Sequence, residues 1–140
     1  MVVAAMSTIS AMGVRFAIDD FGVGFSSISY LQDLPAHIVK VDATLSQNID
    51  RDERACAVLR AIAEMGEALG LDVVVEGIER ESQLSLVRDD VHAPYVQGYL
   101  MHRPMPLDQV LEVVRTNRAE HPGVTDDPPI DSGDRLAPIS

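Results

Sequence analysis

Asp19 and Asp20 close a short apolar run, Val14-Arg15-Phe16-Ala17-Ile18, and Gly22 and Gly24 follow at once. A run of this kind, stopped by acids and then glycine, reads as a buried strand feeding a loop. Carboxylates at the carboxyl end of a buried parallel strand stand where α/β folds place their chemistry. The pattern recurs along the chain. His37-Ile38-Val39-Lys40-Val41-Asp42 ends in Lys and Asp, Val73-Val74-Val75-Glu76-Gly77-Ile78-Glu79 ends in Glu and Gly, and Tyr95-Val96-Gln97-Gly98-Tyr99 is a weaker fourth run. Adjacent hard oxygen donors suit Mg²⁺, Mn²⁺ or Ca²⁺. Along a regular strand Asp19 and Asp20 would diverge, whereas a turn of the backbone at the strand end lets both face one site. The plainer reading is that Asp-Asp-x-Gly starts a loop. Lys40 reads either as a solvated charge or partner of Asp42, or as a cation orienting a water or a phosphoryl oxygen. Glu76 follows three valines, so its carboxylate starts from apolar surroundings that favour the neutral form unless a cation compensates. That suits a general base or a metal ligand, against a Glu that simply leaves the strand for solvent. Glu79 and Gln97 say little individually.

Around these residues, strand and helix patterns alternate. Residues 2 to about 12 have helical spacing, with Gly13 as a stop. The first strand runs to Asp19, Ser26 to Leu31 reads as one or two helical turns, and the second strand spans Ile38 to Asp42. Asp50 or Asp52 caps a long helix with Val58, Leu59, Ile62, Met65, Ala68 and Leu69 on its apolar face, ended by Gly70. Strand three covers Asp72 to Val75, a helix runs from about Arg80 to Val87, and strand four lies near Tyr95 to Gln97. A last helix runs from Leu107 to about Arg118, with Val110, Leu111, Val113 and Val114 as its buried positions. The strands are β-branched without a clean period of two, which together with the alternation predicts a parallel sheet covered by helices. From about residue 119 Pro and Gly mix with Asp, so 1–118 reads as one domain and 119–140 as a disordered acidic, Pro-rich tail.

Composition narrows the function classes. A formal net charge of −11 disfavours duplex nucleic acid, because no basic stripe exists to release counterions. It leaves room for a phosphate substrate held through divalent cations. No apolar stretch approaches bilayer length, and Met1 to Met6 makes a poor signal peptide, so the expected location is cytoplasmic. The single cysteine, Cys56, reads as a small packed residue. His37, His92, His102 and His121 lack metal-ligand spacing. Neither a Gly-Lys-Ser phosphate loop nor a nucleophile elbow is present.

Jointly, the strand ends resemble the EAL family of cyclic di-GMP phosphodiesterases. The resemblance is carried by Asp19-Asp20-Phe21-Gly22-Val23-Gly24-Phe25-Ser26-Ser27, Leu31 through Leu34-Pro35, Lys40-Val41-Asp42, Glu76-Gly77-Ile78-Glu79 and Gln97-Gly98-Tyr99 with Arg103-Pro104, over about residues 1 to 116. It implies a modified TIM (β/α) barrel and hydrolysis of cyclic di-GMP to pGpG with two Mg²⁺ or Mn²⁺ ions. By the same resemblance Asp19, Asp20, Glu76 and Gln97 are metal-site residues. Lys40 holds the attacking water, and Glu76 is second-metal ligand or general base. Glu79 anchors the loop that starts at Phe21, Gly22 and Gly24 and that couples substrate binding to dimerisation in the family.

Departures from the family pattern qualify this. Glu67-Ala68-Leu69 spells the family's signature but lies on an amphipathic helix between Lys40 and Glu76, where packing by Leu69 and solvation of Glu67 are expected. The true signature Glu and its Asn and Glu partners belong before residue 1, so the chain reads as the C-terminal half of the barrel, about four of its eight strands. Val23 stands where Thr is usual, and Phe25 where Tyr is usual. Half a barrel has two open edges and an uncovered inner face. A homodimer, or a missing N-terminal half or regulatory domain, is therefore the expected partner beside cyclic di-GMP. Little or no hydrolysis is expected of the chain alone. The alternative is a non-catalytic module, derived from such a domain, that binds cyclic di-GMP or a protein.

Overall fold

Four short β-branched runs form a single sheet in the structure, a computed structural model that describes residues 2–24, 31 and 33–120, with side chains to residue 117. Most of the expected turns from Ser26 to Leu31, and the expected tail beyond residue 120, lie outside the described residues. The chain divides into two units, Met1–Arg103 and Pro104–Ser140. The first contains α1 (Val2–Ser10), β1 (Ala17–Phe21), β2 (Ile38–Val41), α2 (Ala43–Ser46), α3 (Glu53–Ala68), β3 (Asp72–Val75), α4 (Glu81–Leu86) and β4 (Tyr95–Val96). The second contains α5 (Leu107–Glu120). All neighbouring strands are parallel, in the order β1-β2-β3-β4, so each strand lies beside the next one in the chain. Ile38 aligns with Asp72, Lys40 with Val74, and Val75 with Val96. The expected α/β arrangement of four parallel strands with helices is what forms.

Burial, however, has the period of two that the residue types did not display. In β2 and β3, Val39, Val41, Val73 and Val75 are buried, while Ile38, Lys40, Asp72 and Val74 are only half-buried. Helices pack against one face, where Leu59 and Ala63 of α3, Ile78, Val87 and Val91 join the valines in the core. Leu59 is fully buried, worth about 1.5–3 kcal/mol in transfer free energy. The other face carries the polar strand-end residues.

Helix α3 starts at Asp52 and not Asp50, since the Asp52 carboxylate accepts from the Arg54 N–H at 2.9 Å. It ends as expected at Gly70, whose φ is +70°. The Leu71 N–H reaches the Gly66 carbonyl at 2.9 Å and the Gly70 N–H reaches Glu67 at 3.0 Å, a Schellman closure. Its buried stripe is Cys56, Leu59, Ala63 and Gly66, so Val58, Ala68 and Leu69 are corrected to exposed positions. The 56-59-63-66 spacing explains this: Val58 falls off the stripe, and Gly66 lies on it because Val73 fills the space of a side chain there. Cys56 is a packed free thiol, as expected.

Helix α4 is shorter than expected and runs on into a π-helical turn, Val87–Val91, closed by His92 at φ +58°. None of α1 is buried. Strand β1 starts at Ala17, later than Val14, and carries on through both aspartates to Phe21. In α5 the expected start at Leu107 holds, but Val110, Leu111 and Val114 are exposed. Among the described residues of Pro104–Ser140 no second element exists to cover them.

Candidate metal centre

A β-bulge decides where Asp19 and Asp20 point. Ile18 aligns with Val39 and Phe21 with Val41, so two residues of β1 stand opposite the single Lys40 of β2. Asp20 absorbs the extra residue at φ +52°, the left-handed region that Asp tolerates better than most side chains. Both carboxylates thereby turn toward the same end of the sheet. One oxygen from each of Asp19, Asp20 and Glu76 lies within 4.8 Å of the others.

Lys40 projects into this trio from the half-buried face of β2. Its Nζ is 2.9 Å from Asp19 Oδ1 and in closer contact with Glu76 Oε1. Lys40 thus supplies the compensating cation that Glu76 needs, and Glu76 leaves only 17% of its side chain exposed, against 63% for Asp19. The hydrogen bond from Lys40 holds the Asp19 carboxyl below its ordinary value. The bond to Glu76, and then that to Asp19, hold the Lys40 ammonium above its own.

Asp42 does not pair with Lys40. Its Oδ1 accepts from the Thr44 N–H at 2.8 Å and from the Thr44 hydroxyl, capping α2. The hydroxyl bond is the first cause of its lowered pKa.

Gln97 follows β4 at the same end of the sheet. Its N–H donates to Val75 O at 2.8 Å and its carbonyl accepts from Ile78 N–H at 3.1 Å. The carboxylate trio forms without it. Glu79 is exposed and sits further along the segment leaving β3, outside the trio. Phe21 is buried, and Gly22 and Gly24 lie in the exposed turn after it. The continuation of that turn, which Glu79 was expected to anchor, lies at residues 25–30, outside the described residues.

Four further residues at the rim have contacts that the sequence reading did not assign them, Ser46 and Gln83 having escaped it altogether. Ser46 and Gln83 are the buried polar side chains of the described core. Arg80 and Asp50 form a two-pronged ion pair at 2.7 and 2.9 Å, which holds the Asp50 carboxyl far below its ordinary value. A signal for Gln83 did exist. It shares a four-residue spacing with Val87 and Val91, so a glutamine occupies an otherwise apolar stripe.

The donor set fits a divalent cation. Asp19, Asp20 and Glu76 offer hard oxygens of the kind Mg²⁺, Mn²⁺ and Ca²⁺ take. Three carboxylates are met by one ammonium, leaving two formal negative charges at the mouth of the sheet.

Residues 2–104 match the EAL domain family model. Cyclic di-GMP phosphodiesterase NbdA of Pseudomonas aeruginosa is 42% identical over 107 residues, 76% of this chain and 14% of that protein. The structure of PaMucR phosphodiesterase in complex with c-di-GMP superposes at a TM-score of 0.70 with 38% identity, covering 77% of this chain and 43% of that one. Klebsiella pneumoniae BlrP1, in complex with manganese and cyclic di-GMP, superposes at 0.64 with 31% identity, covering 69% of this chain and 24% of that one. The chain spans only 12% to 26% of the length of the curated relatives it matches. A family match over most of the chain, a shared parallel fold and the convergent strand-end acids lead to one conclusion: the chain belongs to the EAL domain family and holds part of that domain.

Proposed function

We propose that this chain forms one side of a cyclic di-GMP phosphodiesterase centre, acting in the cytoplasm in second-messenger signalling. The observation that carries this is the convergence of Asp19, Asp20 and Glu76 within 4.8 Å around Lys40. Family membership and the relatives named as cyclic di-GMP phosphodiesterases support it. Asp19, Asp20, Glu76 and Gln97 would hold Mg²⁺ or Mn²⁺. Such ions polarise a phosphodiester and make water a strong nucleophile near neutral pH.

The chain's own residues do the rest. Lys40, held between Glu76 and Asp19, would orient a water or phosphoryl oxygen by donating a hydrogen bond, and both partners hold its ammonium above its ordinary value. Glu76, the least exposed of the three acids, would be the second-metal ligand or the base that takes the proton of that water. Glu79 anchors the loop that starts at Phe21, Gly22 and Gly24.

The other ligands implied by the family resemblance are not among these strand ends. The isolated chain is therefore expected to hydrolyse little, and to need a second half-barrel, from another segment or a second copy. The test is calorimetry of the full chain with Mn²⁺ and with cyclic di-GMP, followed by hydrolysis assays with an added N-terminal half of an EAL barrel. Mn²⁺ uptake, with hydrolysis to pGpG appearing only in the mixture and vanishing in Asp19→Asn, is the expected result. Because Lys40 already neutralises Asp19 and Glu76 in part, a non-catalytic binding module is the second reading. Cyclic di-GMP binding that is indifferent to Mn²⁺ and to Asp19→Asn would favour it.

A further inference from the structure

The segment Glu76-Gly77-Ile78 leaves β3 as an irregular strap, and irregular backbone holds a carboxylate in place only if something grips it. Here the grip is on both sides. Toward β4, the Ile78 N–H donates to Gln97 O at 3.1 Å and the Leu100 N–H donates to Ile78 O at 3.0 Å. Toward α2, the buried Ser46 hydroxyl donates to the Glu76 carbonyl and lies 3.1 Å from the Ala43 carbonyl. Gln83, also buried, ties the strap's far end. Its Oε1 accepts from the N–H groups of Glu79 and Arg80, both at 2.9 Å, and its Nε2 donates to Ser46 O at 3.0 Å. Arg80 adds a bond to Gln47 O at 2.6 Å and the ion pair with Asp50, which also accepts from Ser82 Oγ at 2.6 Å. Among the described residues no buried side-chain polar atom lacks a partner, so the network is closed. Closed networks specify one geometry, whereas partly satisfied ones do not.

Since α2 follows β2 directly, with Asp42 as its cap, this network joins the strand that carries Lys40 to the strap that carries Glu76. We infer that Ser46 and Gln83 are positioning residues, which set the Glu76 carboxylate against Lys40 and the two aspartates through the backbone they share. The inference rests on the metal-site reading for its functional meaning, but its geometry stands without it. Groups that hold metal ligands from behind typically cost about 10–100-fold in metal affinity when they are removed.

The test uses the full 140-residue chain with Mn²⁺ as probe. Ser46→Ala and Gln83→Met are each expected to weaken Mn²⁺ binding by about tenfold. Val87→Ala, which trims the core without removing any bond to the strap, is expected to lower the urea midpoint with Mn²⁺ affinity unchanged. Unchanged affinity in both strap variants, or an equal loss in Val87→Ala, would overturn the inference. A metal-free readout accompanies it: the ¹³C signal of the Glu76 carboxyl, measured in folded wild type and Ser46→Ala. Should the wild-type chain take up no Mn²⁺, the metal-site reading fails and this signal decides alone. A shift in Ser46→Ala upholds the positioning role, and an unmoved signal refutes it.

Discussion

Replacing Gly77 by alanine imposes two separable costs, and a second glycine isolates one of them. Gly77 has φ +74° and Gly70 has φ +70°, so an L side chain at either position enters the left-handed region at about 1–2 kcal/mol. Only Gly77 is crowded. A Cβ there would stand 2.5 Å from Ala43 Cβ and 3.0 Å from Ala43 Cα, whereas at Gly70 nothing lies within 4 Å. Carbon atoms pack favourably at about 3.5–4.0 Å, and Ala43 has no rotamer to yield, so the strap or α2 must move. Overpacking of this kind costs about 1–3 kcal/mol. Loss of glycine's freedom in the unfolded chain returns about 0.4–1 kcal/mol in both variants. Gly70→Ala should therefore be near neutral to about 1.5 kcal/mol destabilising, and Gly77→Ala about 1–4.5 kcal/mol destabilising. Urea unfolding followed by circular dichroism measures both, and the difference between the variants, about 1–3 kcal/mol, is the steric cost alone. Equal destabilisation of the two, within about 0.5 kcal/mol, would mean that the strap does not press on α2 as described.

Three other outcomes follow from the same geometry. Lys40→Met should raise the Asp19 titration midpoint toward its ordinary 3.8, as read from carboxyl chemical shifts, since Lys40 is the principal cause of its depression; an unmoved midpoint would deny the ion pair. Asp50 has a pKa depressed by Arg80, so its stabilising contribution is complete above its ordinary 3.8 and is lost as pH falls through the folded value. The stability gap between wild type and Asp50→Asn should accordingly be widest above about pH 5 and narrow toward about pH 2, and a gap constant with pH would refute this. Asp52→Ala removes the cap of α3 and should cost about 1 kcal/mol of stability by urea titration, with no change in Mn²⁺ binding.

Much of this architecture could be read from residue types. Asp72-Val73-Val74-Val75 was legible as a strand with its observed bounds, because Gly70 stops the preceding helix and three β-branched residues follow. The convergence of Asp19, Asp20, Lys40 and Glu76 on one end of the sheet was legible as a pattern, but its cause was not. A bulge depends on pairing between strands about twenty residues apart, and no local rule announces it. The exposure of Val110 and Val114 was illegible for a related reason: spacing gives a helix an apolar stripe, but only the neighbouring elements determine whether that stripe is covered. Ser46 carried no signal in the sequence, and Gln83 carried only its place on the apolar stripe shared with Val87 and Val91. Their burial follows from the backbone carbonyls and N–H groups they satisfy, which become visible only when the strap and α2 meet.

Because each strand of the sheet neighbours its successor, with no strand threading between two others, assembly can proceed by accretion. Every ladder closes over a stretch of chain short enough that loop entropy rises only slowly with its length, so β2-β3 pairing does not wait for β1 or β4. Among the described residues both outermost strands keep one unpaired side within the sheet, and a parallel strand added at either border would continue the same hydrogen-bond ladder without rewiring those already made. A sheet organised in this way is extensible by recombination, as a stack of tiles is, and its kinetic nucleus is expected in the central β2-α3-β3 unit.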